Sequence, residues 1–186
     1  MWDKYLVKDN FLKDKHFNLI KNFNFTTDPS GWEIFKHQIF DQDRVTISYK
    51  NSQIGVYSTA IPLTIYNILD IHNTYHNLML SYLFELAPDK VQNYKFTELN
   101  VVSTGKDYKF PIHNDTNDKL LSVVIYIAPD INKGTTLYST KEGLDPKEIT
   151  WLPNRAFMFS RNDTTWHSYE SDEVSSRLTL VYNLRG

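Results

Sequence analysis

The chain has 186 residues, enough for one domain whose core needs neither disulfides nor structural metals. Hydrophobic residues make up 41% and aromatics 15%, which argues against a disordered chain, and a net charge of −2 leaves no basic excess to drive nucleic-acid binding. There is no cysteine, so thiolate metal sites, iron–sulfur clusters and cysteine nucleophiles are excluded, and any metal must rest on His, Asp or Glu.

From Met1 to Lys15 charged and apolar residues alternate. This is the pattern of neither a signal peptide nor a membrane anchor, so a cytoplasmic protein with no membrane partner is expected. Phe11–Asn22 carries apolar residues at helical spacing and is predicted as an amphipathic helix. Arg44–Tyr49 reads as a short strand. Pro62–Leu86 is the longest predicted helix, with Pro62 near its start, Pro88 beyond its end and a broad apolar face that needs a partner. His72 and His76 share one face of it, but the Glu that follows the first His in zinc-protease helices is missing, so they are expected to be metal-free.

Beyond this helix the pattern changes to strands broken by turn residues. Strands are predicted over 97–103, 108–113, 119–128, 135–139, 148–152, 155–160 and 177–184. Leu120–Ile127 is almost continuously apolar and is expected to be buried on both faces. The expected fold is mainly β with N-terminal helices: a two-sheet sandwich or jelly roll backed by helices. A single domain over 1–186 is expected, with 1–96 mostly helical support and 97–186 the β core.

The chemistry concentrates in the second part. His113 and Asp115 are two apart, and side chains at i and i+2 of an extended segment point the same way. Chance alone supplies about half of one such His-x-Asp triplet in a chain of this composition, and a surface turn would explain it equally well. His167 follows the strand predicted over 155–160, and ten residues later Arg177 and Thr179 open the last strand. Two imidazoles and one carboxylate form the ligand set of non-haem Fe(II) oxygenases, and an Arg beside a hydroxyl suits a dicarboxylate. Taken singly, His167 reads as a half-buried histidine and Arg177 as an edge-strand residue.

In this order and spacing, His113, Asp115, His167, Arg177 and Thr179 resemble the Fe(II)/2-oxoglutarate-dependent dioxygenases, nearest their prolyl-hydroxylase-like branch. The resemblance covers roughly 97–186. It implies a double-stranded β-helix (a cupin-like jelly roll), Fe(II) held by His113, Asp115 and His167, and Arg177 on the distal carboxylate of 2-oxoglutarate. It also implies a hydroxylation that consumes O2 and 2-oxoglutarate and releases succinate and CO2. Tyr126 matches a tyrosine whose hydroxyl reaches the co-substrate, or else is a core aromatic. Leu137, in Gly134-Thr135-Thr136-Leu137-Tyr138, is expected to wall the co-substrate pocket. Ser103 stands where some prolyl hydroxylases place a tyrosine that contacts 2-oxoglutarate, so the substrate-side details of that branch do not carry over to this chain. Peptidyl proline or a small metabolite is the expected substrate. Two alternatives stand beside this: a cupin-like metalloprotein that does not use 2-oxoglutarate, and a non-enzymatic barrel. A nucleic-acid dealkylase is disfavoured, because position 183 is Asn rather than a second Arg. Lys119 and Arg161 read as surface charges that could alternatively border the substrate mouth.

Overall fold

The computed structural model describes residues 2, 4–22, 33–39, 42–51, 56–59 and 65–186, with backbone only for the three segments between 33 and 59 and for residues 65, 66 and 68. In chain order the described elements are β1 (Leu6–Lys8), α1 (Asp14–Lys21), β2 (Glu33–Ile39), β3 (Gln42–Asn51), β4 (Val56–Thr59), α2 (Ile65–Leu86) and a 3₁₀ turn (Pro88–Asn93). Then follow β5 (Phe96–Thr104), β6 (Lys109–His113), β7 (Lys119–Ala128), β8 (Thr135–Tyr138), β9 (Lys147–Ile149), β10 (Ala156–Phe159), β11 (Trp166–Glu170) and β12 (Arg177–Arg185).

The strands form two facing sheets. The larger has eight strands in the order β1, β10, β7, β12, β5, β4, β3, β2, and the smaller has four, in the order β6, β11, β8, β9. Every described pairing is antiparallel except β4 with β5.

The pleat sorts the residues of the large sheet between its two faces. On β12, Leu180, Tyr182 and Leu184 point outward, beside Leu121, Val123 and Ile125 of β7 and Leu99 and Val101 of β5. Ile71, Tyr75, Met79 and Leu83 recur every four residues on α2, so they form one stripe that covers this apolar face. Each such side chain, removed fully from water, contributes about 1.5–3 kcal/mol. Tyr75 also fastens α1 to α2: its hydroxyl accepts the Lys13 backbone N–H at 2.8 Å and meets the buried His16 ring at 2.9 Å. The inward face of β12 carries Arg177, Thr179, Val181, Asn183 and Arg185, all lining a cavity between the sheets.

The predicted helix over Phe11–Asn22 begins later, at Asp14. The other long helix ends at Leu86 as expected, while Pro62 lies outside the described residues. The first half of the chain is richer in strands than its pattern suggested: β1 through β4 all join the large sheet. β11 was also missed. Its sequence, Trp-His-Ser-Tyr-Glu, has no apolar alternation, and it is extended because it pairs with both β6 and β8. Among the described residues no helix is long and apolar enough to cross a membrane.

Candidate metal centre

β6 and β11 are paired so that His113 and His167 face each other directly, with ring centroids 4.2 Å apart. Asp115 lies just past the end of β6 and turns its carboxylate into the same space. The candidate ligand atoms of the three residues all lie within 4.8 Å of one another. Among the described residues this is the one such His/Asp/Glu cluster. Asn114, between the two ligand candidates, points elsewhere. Its amide donates to the Asn162 carbonyl at 2.6 Å and its oxygen accepts the Thr165 hydroxyl at 2.8 Å, which ties the triplet to the loop that delivers His167.

The hydrogen bonds around the cluster prepare it for a cation. His113 Nδ1 lies 3.0 Å from the Pro111 carbonyl, and His167 Nδ1 lies 2.9 Å from the Thr165 carbonyl. A carbonyl can only accept, so both Nδ1 atoms carry a proton, which leaves Nε2 as the candidate ligand atom of each ring. Fixing the outer nitrogen in this way is how metal-binding imidazoles are oriented. Burial pushes the His167 pKa down to about 4, and the neighbouring His113 adds to the shift, so the ring is neutral at pH 7. Burial pushes the Asp115 carboxyl up. The Lys119 ammonium, the neighbouring His167 and hydrogen bonds from Lys119 and Ser122 outweigh it and hold the carboxyl well below the usual carboxylate range. Lys119 Nζ donates to Asp115 at 2.7 Å and Ser122 Oγ at 2.6 Å. Two imidazoles that turn Nε2 into one space and one anchored carboxylate fit a divalent transition metal and leave room for other ligands. The triad is consistent with the Fe(II) site of 2-oxoglutarate oxygenases.

The cavity beside the triad measures about 330 Å³. Arg177 lines it and is only 2% exposed. Its guanidinium carbon stands 4.7 Å from the ring centre of Tyr169 and 5.4 Å from those of Tyr126 and Trp151, and its Nε donates to the Lys133 carbonyl. Three aromatic faces stabilise the cation and fix its direction. Thr179 follows on the same face of β12, also buried and on the cavity wall.

Tyr126 and Leu137 sit behind that wall. The Tyr126 hydroxyl accepts the Thr135 backbone N–H at 2.8 Å and donates toward Thr135 Oγ1 at 3.1 Å, while its ring stacks on Trp151 at 4.6 Å. Leu137 packs with Trp2, Tyr126 and Phe157 in a second apolar cluster. Gly134 precedes β8 because any Cβ there would meet the Ile149 carbonyl at 1.7 Å.

Lys119 is not a plain surface charge: it lines the cavity and pairs with Asp115. Arg161 also reaches the site's edge, donating to the Asp115 carbonyl at 3.2 Å. Thr135, Tyr169, Ser122 and Asn183 also line the cavity, and none of them belongs to the five-residue motif. Strand alternation could have found Asn183 and Ser122, since both are polar positions in otherwise apolar strands.

No family model matches this sequence, and no curated protein matches it. Solved structures do match. A prolyl 4-hydroxylase from Pseudomonas putida is 12% identical, with a TM-score of 0.61 over 97% of this chain and 91% of that one. A prolyl hydroxylase from Trichoplax adhaerens, solved with a peptide from the oxygen degradation domain of hypoxia inducible factor, is 14% identical, with a TM-score of 0.65 over 97% and 83%. A 2OG-Fe(II) oxygenase-family oxidoreductase from Burkholderia pseudomallei is 12% identical, with a TM-score of 0.54 over 83% and 72%. The fold is thus the double-stranded β-helix of the 2-oxoglutarate oxygenases, with N-terminal helices packed on it.

Proposed function

We propose that this chain is an Fe(II)- and 2-oxoglutarate-dependent dioxygenase that hydroxylates a C–H bond of its substrate. The observation that carries the reading is one cavity holding both the His113/Asp115/His167 cluster and a buried, aromatic-caged Arg177. A cupin-like metalloprotein or an inert barrel would have no use for that arginine. Bound Fe(II), with 2-oxoglutarate and O2, would supply the oxidising power, and the balance is substrate plus 2-oxoglutarate plus O2 giving hydroxylated product, succinate and CO2.

His113 and His167 would hold the metal through Nε2 and Asp115 through its carboxylate. Arg177 would take the distal carboxylate of 2-oxoglutarate as a charge-assisted pair, with the Thr179 hydroxyl as a second donor. Tyr126, Trp151 and Tyr169 hold the guanidinium in place before the co-substrate arrives, so little ordering cost remains at binding. Leu137 and Tyr126 back this part of the wall and help to keep water out. Ser122 and Lys119 hold the Asp115 carboxylate in its rotamer. The substrate would be a peptidyl proline, as the names of the similar hydroxylases suggest, or a small metabolite.

The test is succinate formation by the Fe(II)-loaded protein with 2-oxoglutarate and O2, together with a calorimetric titration of 2-oxoglutarate into protein loaded with redox-inert Mn(II). Binding in the titration that disappears in Arg177→Ala is expected. Absence of 2-oxoglutarate binding in the wild type would end the reading.

A further inference from the structure

The inward face of β12 is polar at both ends and apolar in the middle. Arg177 and Thr179 form one end, Val181 the middle, and Asn183 and Arg185 the other. The proposed oxygenase activity uses only the first end. The second lies beside the metal candidates: Asn183 is paired in register with Ser122, whose hydroxyl is bonded to Asp115.

Asn183 is 1% exposed, and among the described residues nothing donates to its side-chain oxygen. Its orientation is settled by its neighbour. The amide nitrogen donates to Glu98 Oε2 at 2.8 Å, and flipping the group would set its oxygen against a carboxylate that can only accept. Nearby donors are already engaged. Ser122 and Lys119 donate to Asp115, and Arg185 donates through Nε to Glu98 and through a terminal nitrogen to Asp118. A buried acceptor without a donor is costly, and such atoms are rare unless a ligand or an ordered water completes them.

What would complete it is defined by its surroundings. Glu98 lies beside Asn183 and favours a donor that carries positive charge. One step along the strand, Arg185 and Lys119 are partners in register; each is ion-paired, Arg185 with Glu98 and Asp118 and Lys119 with Asp115, and each has more N–H groups than those pairs use. A group that accepts an ammonium and, next to it, one that attracts a carboxylate are the two handles of an α-amino acid. The prolyl nitrogen within a peptide has no N–H to offer. A cavity of about 330 Å³ is at the small end of the range for small-molecule sites, which suits a compact substrate beside the co-substrate.

We infer that the substrate is a free α-amino acid, with its ammonium on Asn183 Oδ1, in the field of the adjoining Glu98, and its carboxylate toward Lys119 and Arg185. This assignment rests on the oxygenase reading of the same cavity and makes Asn183 the residue that selects amino acid over peptide. The experiment titrates the Mn(II)- and 2-oxoglutarate-loaded protein with the twenty L-amino acids, their N-acetyl derivatives and an end-blocked prolyl peptide. At least one free amino acid is expected to bind, and its N-acetyl derivative at least tenfold more weakly. Asn183→Leu, which keeps the branching of the side chain and removes the acceptor together with the donor to Glu98, should weaken that amino acid by roughly ten- to a hundredfold. It should leave the separate 2-oxoglutarate titration within twofold. Asn183→Ala serves the same purpose if the leucine variant does not fold. Binding of the peptide alone, binding of no amino acid while 2-oxoglutarate still binds, or amino-acid binding indifferent to both variants would each overturn the assignment; the last would mean that only water completes Asn183. Failure of 2-oxoglutarate itself to bind would overturn the oxygenase reading and this assignment together, and the separate titration distinguishes that case.

Discussion

The two faces of β12 do different work with residues that alternate along one strand. Leu180, Tyr182 and Leu184 lie under α2 in the apolar core, while Arg177, Thr179 and Asn183 face the cavity. All six are buried, so burial does not separate stability from function here. The difference lies in the partners. The outer side chains need only apolar contact, whereas the inner ones need specific hydrogen-bond and charge partners. Substitutions on the outer face should therefore cost folding, and those around the cavity should cost chemistry.

The largest expected effect is at Asp115. Asp115→Asn keeps the shape and removes the anionic member of the cluster, so succinate formation should fall a hundredfold or more while the melting temperature moves by only a few degrees. Asn114→Ala should retain most turnover, because Asn114 faces the 162–165 loop. Full turnover in Asp115→Asn with none in Asn114→Ala would show that the ligand register is wrong.

Arg177→Ala comes next. Loss of a charge-assisted pair should weaken 2-oxoglutarate by about 2–5 kcal/mol and leave metal affinity nearly intact. Unchanged 2-oxoglutarate affinity in a calorimetric titration would remove Arg177 from the site. On the opposite face, Leu180→Ala should cost about 3 kcal/mol of stability in denaturant unfolding through the cavity it leaves. The folded fraction should still bind 2-oxoglutarate as the wild type does. Co-substrate binding lost in step with stability would mean that the two faces are not separable.

The smallest effect sharpens the comparison by pH. His72 lies on α2 beside His76, and its ring meets the Tyr182 hydroxyl on the outer face of the sheet. Burial, with a smaller contribution from His76, pushes its pKa down to about 4. The unfolded chain takes up this proton near pH 6.5 and the folded chain does so only near 4. Stability is therefore lost as pH falls from about 6.5 to about 4. The ring is only half shielded from solvent, so the loss should be roughly 1 kcal/mol after screening. Chemical denaturation of wild type and His72→Gln across this range checks it; equal pH dependence in the two would assign the loss to other groups.

Much of this was legible in the sequence. Seven strands of the second half and the long helix follow from periodicity, because a buried strand and an amphipathic helix each leave a repeating apolar signal. The five residues His113, Asp115, His167, Arg177 and Thr179 stood out by type and spacing, and all five border one cavity. β11 was not legible, since its inward positions are His167 and Tyr169 rather than aliphatic residues. The aromatic cage of Arg177 was hidden for a different reason: Tyr126, Trp151 and Tyr169 are spread over three separate segments, and no local pattern links them.

The sequence by itself determined which residue types were available for chemistry and which faces had to be buried, because alternation and composition are local properties. It excluded thiolate chemistry, marked two imidazoles and a carboxylate, and set one side of each strand against the other. Only the tertiary structure decided which polar groups meet. The pairing of β6 with β11 brings His113 to His167. The side-by-side register of β5, β12 and β7 places Glu98, Asn183 and Ser122 in one row leading to Asp115. Such contacts join residues up to 85 positions apart, and their existence depends on how strands are paired rather than on any local preference along the chain.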